Sequence, residues 1–185
     1  MRKLKLQIQM SIDGFIAGPN GEMDWMMWDW DEPIKEFIHG LTAPVDTIVL
    51  GRKLAEKFIP TWTERAKDPL KEDEFAHKMV DVHKIVFSKT LTQSTWANTS
   101  IATNLVEDIK LMKNTAGGDI IAYGGGEFVA GLIDANLIDE FNLFINPAAI
   151  GEGISVFKNR INLNLIGSYT FCCGIVVLTY QPKIK

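Results

Sequence analysis

A chain of 185 residues, 46% hydrophobic and 23% charged, can bury a sizeable core as one large domain or two small ones, and its composition is that of an ordinary globular protein. The net charge of −4 argues against a nucleic-acid partner, which asks for a basic face. It leaves open a small anion held by a local cluster of cations and amides. No apolar run reaches the roughly 18 residues of a membrane span. Met1-Arg2-Lys3-Leu4-Lys5 lacks the apolar region of a signal peptide, so no membrane association and a cytoplasmic location are expected. The only cysteines, Cys172 and Cys173, are adjacent and give no disulfide framework. They read as buried thiols in a strand of a protein kept in a reducing compartment.

In chain order, Leu4 to Ile12 alternates apolar and polar residues, the pattern of a strand with one buried face. Asp13-Gly14 closes it, Phe15-Ile16-Ala17 continues it briefly, and Gly18-Pro19-Asn20-Gly21 is a turn. The segment 22–30 packs Trp25, Trp28 and Trp30 and three methionines against three carboxylates. Such a loop suits the wall of a pocket for a flat heterocycle, with plain core packing as the alternative. Asp31 is placed to cap the following helix, with Pro33 in its first turn and Ile34, Phe37, Ile38 and Leu41 on its inner face.

Val45 to Leu50 predicts a second strand, followed by Gly51-Arg52-Lys53 and a short helix, Leu54 to Phe58. Cations at a helix start oppose the helix dipole, a local conflict that favours a ligand anion there. From Pro60 the chain reads as irregular and charged as far as Asp73, with Trp62 inside that stretch. Phe75, Met79 and Val82 mark a third helix, and Lys84 to Phe87 a third strand that leaves through Ser88-Lys89-Thr90. Short extended pieces at Thr95-Trp96 and Ser100 to Ala102 precede a fourth helix, ended by Ala116-Gly117-Gly118.

Ile120 to Tyr123 then reads as a buried strand running into Gly124-Gly125-Gly126 and a helix that starts at Glu127. Strand, turn without side chains and helix start form a place where backbone N–H groups can approach a phosphate. Leu137 to Ile145 predicts a long strand, and 162–171 with 174–180 an antiparallel pair. Strands alternating with helices, then strands alone, predict one α/β domain over 1–185 with a mostly parallel sheet and an antiparallel C-terminal edge.

Ligands in such folds sit beyond the carboxyl ends of the strands. Three turns there, at Gly51-Arg52-Lys53, Ser88-Lys89 and Gly124-Gly125-Gly126, suit one extended anionic cofactor. The glycine turn is not G-x-G-x-x-G, since Val129 holds the last position, and no Walker loop is present. His39, His77 and His83 show no metal-ligand spacing, no metal is expected, and no G-x-S-x-G elbow exists. By elimination the chemistry belongs to a bound cofactor.

Ser11-Ile12-Asp13-Gly14-Phe15-Ile16-Ala17, Trp25, Val49-Leu50-Gly51-Arg52-Lys53, Val86-Phe87-Ser88-Lys89 and Tyr123-Gly124-Gly125-Gly126, in that order, resemble the dihydrofolate reductase superfamily. With Asn146-Pro147 and Gly151, the chain is similar to its RibD C-terminal-like branch, the pyrimidine reductases of riboflavin biosynthesis. The resemblance implies the dihydrofolate reductase-like three-layer α/β fold, NADPH as cofactor and a homodimer. It implies that Gly51, Arg52 and Lys53 meet the pyrophosphate and 2′-phosphate, that Ser88 and Lys89 lie by the adenosine, and that Tyr123, Gly124, Gly125, Gly126 and Glu127 line the pyrophosphate and nicotinamide side. Gln9 and Ala17 match backbone positions bordering the nicotinamide.

The departure is at the substrate. The carboxylate that dihydrofolate reductases use for the pterin would fall near Pro33. Asp31 becomes the first candidate acid, Glu32 and Glu127 weaker ones, with Asp31 as a plain helix cap equally compatible. The expectation is hydride transfer to a small heterocyclic substrate walled by Trp25, Trp28, Trp30 and Trp62, such as 5-amino-6-(5-phosphoribosylamino)uracil. Dihydrofolate reductase proper and a non-catalytic dinucleotide-binding protein on the same scaffold are the alternatives. The chain lacks the H-x-E with P-C-x-x-C signature of a deaminase.

Overall fold

The computed structural model describes residues 1–68 and 73–183. Its centre is an eight-stranded sheet in the order β4-β3-β2-β5-β1-β6-β8-β7. The strands are β1 (Leu4–Met10), β2 (Val45–Gly51), β3 (His83–Phe87), β4 (Thr99–Ala102), β5 (Asp119–Tyr123), β6 (Glu140–Ile145), β7 (Leu163–Thr170) and β8 (Val176–Pro182). From β4 to β6 every pairing is parallel, and β8 joins antiparallel to β6 and β7. The mostly parallel sheet and its antiparallel C-terminal edge are as the alternation of elements predicted.

The helices α1 (Glu32–Thr42), α2 (Arg52–Ala66), α3 (Glu74–Asp81), α4 (Leu105–Asn114) and α5 (Gly126–Asp134) form the two outer layers. Ile109, Val129, Leu132 and Ile133 of α4 and α5 pack on Leu4, Leu6, Ile8 and Met10 of β1. Ile34, Ile38, Ala55, Ile59 and Met79 of α1, α2 and α3 pack on Ile48, Leu50, Ile121 and Phe144 from the opposite face. Burial of these side chains, at about 25 cal/mol per Å² of apolar surface, drives the assembly.

Several local expectations change. The alternating β1 has no solvent face: it is the fifth of eight strands, and Lys5 and Gln7 are as buried as their apolar neighbours. The chain does not become irregular at Pro60, because α2 runs on to Ala66 with the proline inside it. Helix burial of Ile59 and the ring packing of Trp62 outweigh the one hydrogen bond the proline removes. Residues 69–72 of that stretch lie outside the described residues. β6 begins only at Glu140, since Asp139 leaves the ladder to accept from the Leu4 N–H (2.8 Å) and to pair with Lys113 (2.7 Å). Thr95-Trp96 is not a strand, whereas β4 is. Cys172 and Cys173 are not buried in a strand. They sit in the β7–β8 turn, with Cys172 exposed, because Gly174 at φ +90° reverses the chain there.

Candidate active site

The carboxyl ends of β3, β2, β5, β1 and β6 lie side by side along one edge of the sheet. This order puts the Ser88-Lys89 turn, then Gly51-Arg52-Lys53, then Gly124-Gly125-Gly126, then the end of β1 in a row. The three turns picked out in the sequence are therefore contiguous.

Two helix starts in that row differ from the rest. Helices α1, α3 and α4 are capped by the side chains of Asp31, Asp73 and Asn104. Helices α2 and α5 start on Gly51 and Gly125, with no side-chain cap, and α2 has no acidic residue in its first turn. Their first N–H groups have no intrahelical acceptor, and two positive dipole ends converge. The two starts are in contact: a Cβ on Gly51 would stand 2.8 Å from the Phe128 Cβ, and Leu54 of α2 lies 3.8 Å from the Cβ positions of Gly124 and Gly125. Gly51 is required by this close approach. Gly125 is required by its backbone, at φ +91°. Gly126 is closed in by Ile154, 2.6 Å from where its Cβ would be.

Arg52 and Ser88 beside this cradle have local partners. Arg52 pairs with Glu56 one turn on (2.5 Å), so an anion would compete with that carboxylate. Ser88 is nearly enclosed, and its hydroxyl accepts from the Thr90 and Leu91 N–H groups (3.1 and 2.9 Å). It shapes the turn that carries the exposed Lys89. Ala17 is buried, and its carbonyl accepts from the Ile154 N–H (2.8 Å).

On the sheet face covered by α1, α2 and α3, aromatic side chains cluster beside the end of β5. Tyr123 stacks obliquely on Phe58 (5.2 Å between centroids) and turns its hydroxyl to the Met79 sulfur (3.7 Å). The ring is partly open, but the hydroxyl is enclosed, and that burial pushes its pKa well above the ordinary phenol value. Trp62 joins Phe58 and Phe75 on the same side, with Arg65 over its ring (5.1 Å). Trp30 packs against the same apolar cluster and bonds the Met27 carbonyl through Nε1 (2.8 Å), while Trp28 lies against it, 62% exposed. Trp25 is held to the Glu22 carbonyl (3.3 Å) and is not among the residues packed on this cluster. Of the four expected wall residues, Trp30 and Trp62 pack on this apolar cluster and Trp28 lies against Trp30.

The candidate acids are differently placed. Asp31 caps α1 through Oδ1, which accepts from the Ile34 N–H (3.1 Å), and its Oδ2 accepts from the Cys173 N–H (3.0 Å). Both oxygens are engaged in tying α1 to the β7–β8 turn, so the structure makes Asp31 a cap and brace rather than a free acid. Glu32 points outward to Lys35 (2.6 Å). Glu127 is exposed at the start of α5.

Two functional features are not visible from local sequence patterns. Asn146 is fully buried: its Oδ1 accepts from the Met27 N–H (2.8 Å), and its Nδ2 donates to Gln9 Oε1 (2.7 Å) and the Phe144 carbonyl (3.2 Å). It fastens the tryptophan segment to the end of β1. Gln7 stands buried in β1 between Tyr123 and Asn142, its register partners. The one sequence signal for it is a run of three polar residues, Lys5, Gln7 and Gln9, on one face of a strand that proves central. Asp13, from the motif after β1, accepts from the Ile150 and Gly151 N–H groups (3.0 and 2.7 Å). The Ser11 hydroxyl and these bonds hold its carboxyl below the ordinary range. No group of three or more metal-ligating side chains occurs among the described residues, and no described helix is long and apolar enough to cross a membrane.

A three-layer fold, with a mostly parallel sheet between two helix layers and an antiparallel edge, defines an α/β protein of the dihydrofolate reductase-like fold class. The dihydrofolate reductase of Enterococcus faecalis complexed with NADP(H) superposes with a TM-score of 0.66 at 15% identity, over 98% of this chain and 97% of that one. The model of the RibD C-terminal domain matches residues 2–177, and the chain belongs to that family. The uncharacterized protein YyaP of Bacillus subtilis is 35% identical over 97% of this chain and 95% of its own length. A deaminase and 5-amino-6-(5-phosphoribosylamino)uracil reductase of Thermotoga maritima superposes with a TM-score of 0.69 at 16% identity, over 98% of this chain but 57% of that longer one.

Proposed function

We propose that this protein is an NADPH-dependent reductase that passes a hydride to a small planar heterocycle, of the phosphoribosylamino-pyrimidine class or related to it. The observation that carries the reading is the pair of touching, uncapped helix starts at Gly51 and Gly125, which present backbone N–H groups where a pyrophosphate needs them. Family membership and the NADP(H)-bound neighbour agree with it.

When bound, NADPH supplies the hydride. The residues of this chain bind and orient. Gly51 and Gly124 to Gly126 accept the diphosphate, and Arg52 and Lys53 supply the extra charge that a 2′-phosphate requires. Lys89 lies at the adenosine end. Tyr123, Trp30 and Trp62 exclude water from the reacting face and stack the substrate. Among the described residues, Asp31 is engaged by two backbone amides and Glu32 by Lys35, so water delivers the proton and positioning carries the rate. The exposed edge strand β7, with Leu165, Ile166 and Tyr169 at its surface, supports a homodimer, which light scattering would report. The free thiol of exposed Cys172 fits a cytosolic setting.

The test is a thermal-shift and tryptophan-fluorescence titration with NADPH and NADH. NADPH at about 100 times its dissociation constant should stabilise the fold by roughly 2.7 kcal/mol. Arg52→Ala should weaken NADPH by about tenfold and NADH little. Absence of a shift with either nucleotide overturns the reading.

A further inference from the structure

A groove of about 420 Å³ opens on the α1 side of the sheet, a volume in the range of small-ligand sites. It lies at the end of the sheet away from the cofactor turns. Its Lys5 and Glu140 stand at the amino-terminal ends of β1 and β6, whereas those turns follow the carboxyl ends of the parallel strands. One wall is the second half of α1, with Glu36, Phe37 and Gly40, and the other is β7, with Ile166 and Tyr169. The floor is polar although it belongs to the sheet interior: Asn142 and Thr179 are 1% and 8% exposed.

The hydrogen bonds of this floor leave acceptors over. The Thr179 hydroxyl donates to Asn142 Oδ1 (3.1 Å), which keeps its own lone pairs available. Asn142 Nδ2 donates to Glu140 Oε1 (3.3 Å). The other oxygen of Glu140 has Lys3 at 3.8 Å, beyond hydrogen-bond reach, on a side chain that is 14% exposed. A carboxylate so enclosed is costly unless a donor reaches it. Lys5 also lines the groove, but its ammonium is engaged by Asp119 (2.9 Å) and the Leu41 carbonyl (3.3 Å). Glu36 adds a second carboxylate from the α1 wall, and the Phe37 and Tyr169 rings meet beside it at 4.8 Å.

Gly40 is an independent sign that this space is kept open. It lies inside α1, where glycine is the poorest helix former after proline. Neither backbone nor packing requires it: its φ is not positive, and no heavy atom stands within 4 Å of where its Cβ would be. A larger side chain there would take up space at the groove wall.

We propose that this groove binds a small organic cation, a primary ammonium on a short aromatic or apolar stem. An ammonium brings three donors and no acceptor, which matches Glu140, Glu36 and the Thr179 hydroxyl. The stem lies along Phe37, Ile166 and Tyr169, whose ring faces also favour a cation. A carboxylate ligand would meet two carboxylates and a lysine already neutralised. The site is separate from the cofactor turns, so it stands or falls independently of the reductase reading.

The test is calorimetry on the full chain at neutral pH with three probes that share a ring and differ in charge: 2-phenylethylamine, 2-phenylethanol and 3-phenylpropionate. The amine should bind about tenfold tighter than the alcohol or more, and the acid should not bind. Glu140→Gln keeps an oxygen for Asn142 and should reduce the amine to the affinity of the alcohol. Gly40→Leu, a change that favours the helix, should fill the groove and abolish binding of both. Equal affinity for amine and alcohol, absence of amine binding, or amine binding that survives both variants overturns the inference. So does amine affinity that falls as light scattering shows the protein dimerising, since a second copy then fills the groove.

Discussion

Asn146→Ala isolates the joint between the tryptophan segment and the sheet. The side chain is 0% exposed and makes three hydrogen bonds, at 2.8, 2.7 and 3.2 Å. Truncation strands the Met27 N–H and Gln9 Oε1 and leaves a small void. Neutral hydrogen bonds contribute about 1 kcal/mol each, and a buried orphan costs about 1–3 kcal/mol. The Met27 and Gln9 ends are only partly buried and can recruit water, so the loss should be about 3 kcal/mol, out of a typical domain stability of about 5–15 kcal/mol. For a chain of this length that lowers Tm by about 6–12 °C. Urea unfolding followed by circular dichroism measures the global term. Acrylamide quenching without urea measures the local one, since Trp28 and Trp30 sit just beyond Met27 and should become more accessible. A global loss below about 1 kcal/mol, or unchanged quenching, would refute the role given to Asn146.

Further outcomes follow from the same geometry. Gln7→Leu should raise stability by about 1 kcal/mol, because it replaces a buried amide whose oxygen has no partner with an apolar side chain in a closed core; a lower urea midpoint would show that the oxygen is satisfied in the free protein. Gly51→Ala forces the new methyl to within 2.8 Å of the Phe128 Cβ and should both destabilise by about 1–3 kcal/mol and weaken NADPH at least tenfold in a fluorescence titration. Lys84 is 2% exposed with its ammonium on the carbonyls of Met79, Val80 and Val82, and burial pulls its pKa down to about 8 from 10.5. Between those values the unfolded chain holds the extra proton, so stability should rise with pH from about 8 to 10.5, by at most about 1.4 kcal/mol per unit. Urea midpoints at pH 7.5 and 9.5 check this, and Lys84→Met should remove the Lys84 contribution.

The features legible in the sequence are those written in consecutive residues. Hydrophobic period, caps and turn glycines locate α1 with its Asp31 cap and Pro33, the Gly51 and Gly124 to Gly126 turns, and the antiparallel β7–β8 tail. They also carry the resemblance to the RibD C-terminal branch, since that likeness is an ordered string of short local motifs. Local signals mislead where tertiary packing outvotes them. Pro60 is tolerated inside α2, and β1 alternates without a solvent face.

Only the tertiary structure decided which groups meet. The strand order β3-β2-β5-β1, unreadable from spacing, brought three separate turns into one row and set two uncapped helix starts in contact. The fold also tied the second oxygen of Asp31 to the Cys173 N–H and joined Met27 to Gln9 through Asn146, a residue more than 100 positions further along the chain. A hydrogen-bonding residue shows its chemical type in sequence but not its partner. That the Gln7 oxygen is buried without a partner depends on neighbours that only the folded sheet supplies.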